Sequence, residues 1–230
     1  VTTSEFVAAV ILRATGKTST AVSGDTKWTK VLGIGNLKIQ DWADEPGVDW
    51  NSLYDPLFSI GTVTATDTFA LDDSIRKISD TKDDYVVVNH TDGTGQTQYQ
   101  VVAADDLKNY YWGQNKESYT GYYCAQIGRN LVFNHKFVTT DPQYGGTILV
   151  PVYTYPEPLV GDSDDVPVDI PNWLVVVAAA EYVRNDITKQ NQFPGLIAEA
   201  NEIMQRMKDD NDAQVQEVHG DWSPLGMTWS

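Results

Sequence analysis

The chain has 230 residues, of which 41% are apolar and 21% charged, with a formal charge of −16. That length buries a core for one large domain or two small ones, and the balance is that of a soluble globular protein. The charge excludes ordinary binding to nucleic-acid phosphates, which needs clustered lysine and arginine. The acidic excess is uneven: residues 157–230 hold 14 Asp plus Glu against 4 Lys plus Arg, whereas residues 1–55 hold 7 against 5. A solubilising surface accounts for this bias, and so does a surface that must not hold DNA moving past it. Cys124 is the only cysteine, which excludes an intrachain disulfide framework and a cysteine metal cluster. The opening Val1-Thr2-Thr3-Ser4-Glu5 lacks the basic stretch that introduces a signal peptide.

Residues 2–15 predict a helix. Thr2 and Glu5 have capping-box spacing, Phe6, Val7, Val10, Ile11 and Ala14 share a face, and Gly16 is a natural stop. After a polar connector, Lys17 to Asp25, a second helix runs from Asp25 or Thr26 toward Asp44, with Trp28, Val31, Leu32, Gly35, Ile39 and Trp42 on one stripe. Gly33 and Gly35 weaken its middle and predict a break. Pro46-Gly47 is a turn, and Asp49 suits the cap of a short helical turn carrying Trp50, Leu53 and Tyr54. Trp42 and Trp50 therefore flank an acidic corner.

From Phe58 to Tyr155 the pattern becomes one of short β-rich runs. These are Phe58 to Thr64, Ile75 to Ile78, Tyr85 to Val88, Tyr99 to Val102, Asn130 to Phe133 and Thr147 to Val150. Turn signals such as Asp72-Asp73, Asp92-Gly93 and Gly145-Gly146 separate them. Pro151 predicts that the last strand is an edge strand or ends early.

After an extended Tyr155 to Val160 and an acidic loop, Gly161 to Asp165, two more helices follow. The first opens at Ile170-Pro171, with Pro171 suited to a first helical turn. Every residue from Trp173 to Ala180 is apolar. A helix without a polar face must be covered on several sides, and this one is too short for the roughly 20 apolar residues of a membrane span. Trp173, Leu174, Val176, Val177 and Tyr182 are thus candidate packing residues, against this chain or a neighbouring copy. The expectation is that these segments carry more apolar surface than one copy can shelter. The second helix starts near Pro194 and carries Leu196, Ile197, Ala200, Ile203, Met204 and Met207 on one stripe. Beyond Met207 the chain reads as a polar tail that nevertheless holds Trp222, Leu225, Met227 and Trp229. Large apolar anchors on such a segment suit docking into pockets of a partner, or folding back on their own domain.

The predicted fold class is α+β, a discontinuous helical bundle from the N- and C-terminal segments with an inserted all-β barrel or sandwich. The predicted divisions are 1–57 and 157–208 for the helical module, 58–156 for the inserted β domain, and 209–230 for an extended tail.

No catalytic set assembles from the sequence. His90, His135 and His219 are far apart and show no metal-ligand spacing. Cys124 has no helix start or base beside it. The paired carboxylates, such as Asp72-Asp73 and Asp164-Asp165, sit on loops without the pattern of a calcium site. Asp162 to Asp165 reads as a solvated loop or a weak cation site. Leu32-Gly33-Ile34-Gly35-Asn36 lacks the third glycine and preceding strand of a dinucleotide fingerprint. No catalytic residue, cofactor or metal is expected. Tyr110, Tyr111, Trp112 and Tyr119, with Tyr122 and Tyr123, suit a sugar- or receptor-binding face of the β module, a protein interface, or its core.

The N-terminal helices, the Trp28-to-Trp50 region and the β insertion resemble the head-to-tail connector (adaptor, or head-completion) proteins of tailed bacteriophages. So do the segments Ile170-Pro171-Asn172-Trp173-Leu174, Ala180-Glu181-Tyr182 and Ala198-Glu199-Ala200-Asn201. The resemblance covers the helical parts, about half the chain. It implies a non-enzymatic virion protein made in the host cytoplasm and placed in the neck between head and tail. It implies a homo-oligomeric ring, usually of twelve copies, beneath the portal protein and above a downstream tail or nozzle protein. Genomic DNA would pass through the ring without sequence-specific binding, no membrane would be involved, and the C-terminal tail would reach the portal. The alternative from another class is a carbohydrate- or receptor-binding β module; a hydrolase ranks last, since no nucleophile, base and orienting group can be named together.

Overall fold

The computed structural model describes residues 1–18, 23–81, 84–93, 95–110, 121–184 and 186–220, with 215–220 described by backbone alone. Its elements in chain order are α1 (Thr3–Thr15), α2 (Thr26–Ala43), β1 (Tyr54–Thr62), β2 (Thr68–Ala70), β3 (Ile75–Ile78), β4 (Tyr85–Asn89), β5 (Gln96–Val101), α3 (Ala104–Leu107), β6 (Tyr123–Ile127), β7 (Asn130–Phe133), β8 (Thr147–Thr154), α4 (Pro171–Arg184) and α5 (Phe193–Gly220). The fold is mixed α+β. It divides into two compact units, Val1–Ser52 with Pro156–Ser230, and Leu53–Tyr155.

In the first unit, α1 starts with a reciprocal cap: Thr2 Oγ1 accepts from the Glu5 N–H, and the Glu5 carboxylate accepts from the Thr2 N–H. Gly16 closes the helix at φ 68°, where a side chain would be strained. Two further first-turn N–H groups, those of Thr3 and Ser4, donate to the carbonyls of Asp164 and Asp162 at 2.8 and 3.1 Å. The acidic loop is thus the lid of α1. Its own Asp164 carboxylate accepts from the N–H groups of Val160 and Gly161 at 2.8 and 2.6 Å.

Helix α2 runs unbroken through both glycines, against expectation. A Cβ on Gly35 would lie 2.8 Å from the Phe6 ring, so that glycine is the contact point between α1 and α2. A Cβ on Gly33 would meet nothing within 4 Å, so its cost is one of propensity, about 1 kcal/mol. The buried Trp28, Val31, Ile39 and Trp42 outweigh that cost. At the end of α2, the Trp50 indole donates to the Trp42 carbonyl at 2.7 Å while the rings stack at 5.2 Å. The two tryptophans make a packed corner.

Helix α4 packs against α1, α2 and α5. Those contacts decide what covers the apolar run. Trp173, Leu174, Val176, Ala178, Ala179 and Ala180 are buried and Val175 and Val177 half-buried, all within one copy of the chain. Of the two covers left open, the same chain supplies most: α5 lies along α4 as well as the N-terminal pair, with Val175 and Val177 left half-buried.

The predicted extended tail from residue 209 is also corrected. Helix α5 continues to Gly220, 28 residues in all. Leu196, Ala200, Ile203 and Met207 lie on its buried face, and Asn211 extends that face by one more turn. Asp209, Asp210, Asn211 and Asp212 are weaker helix formers, but no Gly or Pro interrupts them. Ala213, Gln214, Gln216 and Glu217 are good ones, and the buried Asn211 carries the helix past Met207.

The second unit is one eight-stranded sheet curled into a half-barrel, in the order β1-β8-β4-β5-β6-β7-β2, with β3 also paired to β8. It is a single sheet, so the sandwich alternative does not describe it. Tyr54 of β1 pairs with Tyr153 of β8, which brings the two ends of the insertion together. Strands β2 and β6 were not predicted; β2 has three residues, and β6, YCAQI, lacks a clean alternation. The β5–β6 pairing is parallel, as the crossover through α3 permits.

Pro151 does not mark an edge or an early end. Strand β8 runs past it and pairs with β1, β3 and β4. On one side the β1 register shifts between Asp55 and Phe58, opposite Pro151. On the other, β4 pairs with β8 up to Leu149 and β3 takes over from Val152. Pro151 occupies the place in both ladders where no N–H is required.

Candidate functional site

The residues singled out in the sequence fall in three places. Trp173, Leu174 and Val176 are interior to the helical unit, and Val177 and Tyr182 are half-buried there. The Lys30 ammonium sits 4.4 Å above the Tyr182 ring, a cation–π contact between α2 and α4. Trp222, Leu225, Met227 and Trp229 lie outside the described residues, as do Tyr111, Trp112 and Tyr119. Tyr110 is described, and its ring stacks on Tyr123 with centroids 4.3 Å apart. Its carbonyl accepts from Asn134 Nδ2 at 3.0 Å, so both ring and backbone of Tyr110 are engaged inside the β unit.

The groups with chemical potential are used structurally. His135 is buried among rings, stacked on Tyr99 at 5.7 Å and edge-on to Phe137 at 4.7 Å. Burial lowers its pKa, with Asp141 and Asp67 pulling the other way. His90 Nε2 shares a hydrogen bond with Thr97 Oγ1 at 2.9 Å, and Gln143 donates to the same hydroxyl. Burial pushes the Cys124 thiol well above its usual range, which removes the thiolate that nucleophilic chemistry needs. Asp84 accepts from the hydroxyls of Tyr54, Ser79 and Thr81. Asp72 is held below the usual carboxylate range by the Ser74 hydroxyl and N–H. Among the described residues no group of three or more His, Cys, Asp or Glu side chains is placed to hold a metal ion. Among them, too, no helix is long and apolar enough to cross a membrane.

A cleft lies in the helical unit that sequence reasoning missed. It measures about 460 Å³ and is lined by Asn51, Ser52, Asp169, Ile170, Met207, Asp210, Asn211 and Gln214. Asn211 builds its wall. From a buried position on α5, its Oδ1 accepts from the Asn51 N–H at 2.8 Å and its Nδ2 donates to the Asp49 carbonyl at 3.0 Å. Asn51 Nδ2 returns a bond to the Asn211 carbonyl at 3.3 Å. One turn earlier, Lys208 reaches Glu45 at 2.5 Å. Together they fasten α5 to residues 45–51. The one readable signal was a polar residue, Asn211, on the stripe set by Leu196, Ala200, Ile203 and Met207. A buried amide in such a place must have partners, but its partners are about 160 residues away in sequence, and spacing cannot name them.

Several large apolar side chains of the helical unit remain outside its core: Leu12 on α1, Leu37 on α2, and Val160 and Ile187 on connecting segments. Asn36 exchanges two hydrogen bonds with the backbone of Leu159, at 2.8 and 3.0 Å, which ties the connecting segment bearing Val160 to the helix bearing Leu37. No family model and no curated protein sequence matches this chain.

Proposed function

We propose that this chain is a structural, non-enzymatic virion protein, a head-to-tail adaptor of a tailed bacteriophage. In this reading its helices form a discontinuous bundle that carries the half-barrel as an insertion. Copies join in a ring beneath the portal and line the passage for DNA. The observation that carries the proposal is where the family-like segments fall. Ile170-Pro171-Asn172-Trp173-Leu174 opens α4 and Ala180-Glu181-Tyr182 lies toward its other end. Ala198-Glu199-Ala200-Asn201 sits on α5, which packs against it. Both belong to a unit assembled from the two ends of the chain.

The core of α4 is sheltered within one copy, so ring contacts have to come from other surfaces. The exposed Leu12, Leu37, Val160 and Ile187 are the candidates for contact between copies. The acidic bias of residues 157–230 suits a conduit, because a basic lining would hold DNA through its phosphates. Trp222, Leu225, Met227 and Trp229 are proposed to dock in portal pockets, as large apolar anchors do.

Native mass spectrometry of the full chain, alone and mixed with the portal ring of the same phage, tests the proposal. A high-order ring or a portal-bound complex is expected. A chain that stays monomeric in both samples counts against it. Deleting residues 222–230 should abolish portal attachment while leaving the melting temperature of the described fold in place; equal loss of both contradicts the docking role.

A further inference from the structure

The cleft beside α5 has a lining that selects one kind of side chain. Its apolar part is Ile170 and the buried Met207; Asn51, Ser52 and Gln214 add polar groups. The carboxylates of Asp169 and Asp210 are both exposed, and among the described residues neither has an ion-pair partner. No lysine or arginine is among its lining residues. Asn211 is already committed to Asn51 and Asp49, and Asn51 Nδ2 to the Asn211 carbonyl, so the lining's other polar side chains are Ser52, Gln214 and the two carboxylates.

We propose that this cleft receives an arginine side chain presented by another protein. A guanidinium is planar and weakly hydrated, and it offers five donors to carboxylates and amide oxygens. Its three-carbon stem covers apolar surface such as the half-buried Ile170. A cavity of about 460 Å³ accommodates that side chain and its flanking backbone. The partner is a basic segment of a different protein: the cleft itself presents two carboxylates and no cation, and a basic segment complements that local charge and is steered toward it. The inference depends on the cleft alone and survives if the adaptor proposal fails.

The test is methyl and amide NMR on the full chain, titrated with acetyl-Ala-Arg-Ala-amide and with its lysine and glutamate counterparts. Saturable shifts are expected at Ile170, Met207 and the side-chain amides of Asn51 and Gln214. The arginine peptide should bind best and the glutamate peptide not at all. Asp169→Asn combined with Asp210→Asn should weaken arginine binding about tenfold or more, since each charge-assisted contact is among the stronger hydrogen bonds. Both positions are exposed, and an unchanged melting temperature checks that the variant folds. No saturable shift, an equal response to the glutamate peptide, or undiminished binding by the double variant overturns the proposal. So does self-association of the wild-type chain that the double variant abolishes, which would assign the cleft to a second copy.

Discussion

The helical unit and the β unit build their interiors by different routes. In the helical unit, each element carries its own signature. The capping box of α1, Pro171 at the head of α4, and the stripe of α5 are all local, and packing then joins stripes that were already defined. In the β unit the interior is assembled from residues far apart. Tyr99, Phe133 and Phe137 meet as mutually edge-on rings at 4.7, 5.1 and 6.2 Å, and they come from β5, β7 and the segment after it. Short strands identify themselves weakly, and their order in the sheet is not written in any one of them. The contrast teaches that local periodicity predicts elements, while burial of non-local rings decides how they are ordered.

Deleting a ring from either interior is the sharpest way to test that contrast. Phe133→Ala should cost about 3–5 kcal/mol, and Trp173→Ala a similar amount, through lost burial and an unfilled cavity. Six of the seven tryptophans lie outside residues 53–155, and eleven of the twelve tyrosines lie inside them. Tryptophan fluorescence therefore follows the helical unit, and near-ultraviolet tyrosine dichroism follows the β unit. Phe133→Ala should move the tyrosine transition and Trp173→Ala the tryptophan one. Transitions that always move together would show that the units unfold as one.

A smaller effect is expected at the fastening of α5. Asn211→Ala removes two hydrogen bonds from a buried amide and leaves the Asn51 N–H and the Asp49 carbonyl without their partner. The cost should be about 1–3 kcal/mol, read by denaturant midpoint with tryptophan fluorescence. Amide exchange should rise in residues 45–51. Protection that stays at the wild-type level there would mean that Asn211 does not hold the corner.

Acid should separate the units further. The folded pKa of His135 lies below its ordinary value of about 6.5, so the unfolded chain takes up the proton first. Stability of the β unit is therefore intact above pH about 6.5 and falls as the pH drops through that value toward the lower folded one. In the helical unit, N–H groups of Gly161 and Val160 hold Asp164 low, and the hydroxyl and N–H of Thr188 hold Asp186 low. Their contribution is present above the ordinary carboxylate value near 4 and is lost only below it. Between pH about 7 and 5, the tyrosine-reported midpoint should decline and the tryptophan-reported one should not. His135→Gln should flatten the decline; an unchanged slope would assign it to another group.

The smallest effect belongs to the most local device. Thr2→Ala removes one half of the capping box of α1 and should cost about 1 kcal/mol. Because the Thr3 and Ser4 N–H groups remain bonded to Asp164 and Asp162, a loss near the upper end of the capping range would mean that the acidic loop contributes little.

The sequence located α1, α2 and α4, the head of α5, and six of the eight strands among the described residues, within a few positions. It misplaced the end of α5 because a polar helix that continues past its stripe looks like a tail. It read a break into α2 because a glycine that serves as a contact point has the same letter as one that breaks a helix; the Phe6 ring against Gly35 supplies the distinction. It assigned Pro151 to an edge because the missing N–H matters only where a neighbour asks for it, and here neither neighbour does. The cleft was invisible, since Asn51, Asp169 and Asp210 become neighbours only when α5 is fastened to the corner after α2.

By itself the sequence determined what depends on near neighbours: helix caps, helical stripes, the change from helical to β-rich character after Asp55, and the acidic balance. Tertiary structure decided what depends on distant ones. It set α1, α2 and α5 around α4, so that the same chain covers most of its apolar run. It also turned an acidic loop into the lid of a helix and gave Asn211 its partners. Backbone preferences and side-chain periodicity act over a few residues, whereas burial and hydrogen-bond satisfaction are settled only once the whole chain has chosen which surfaces meet.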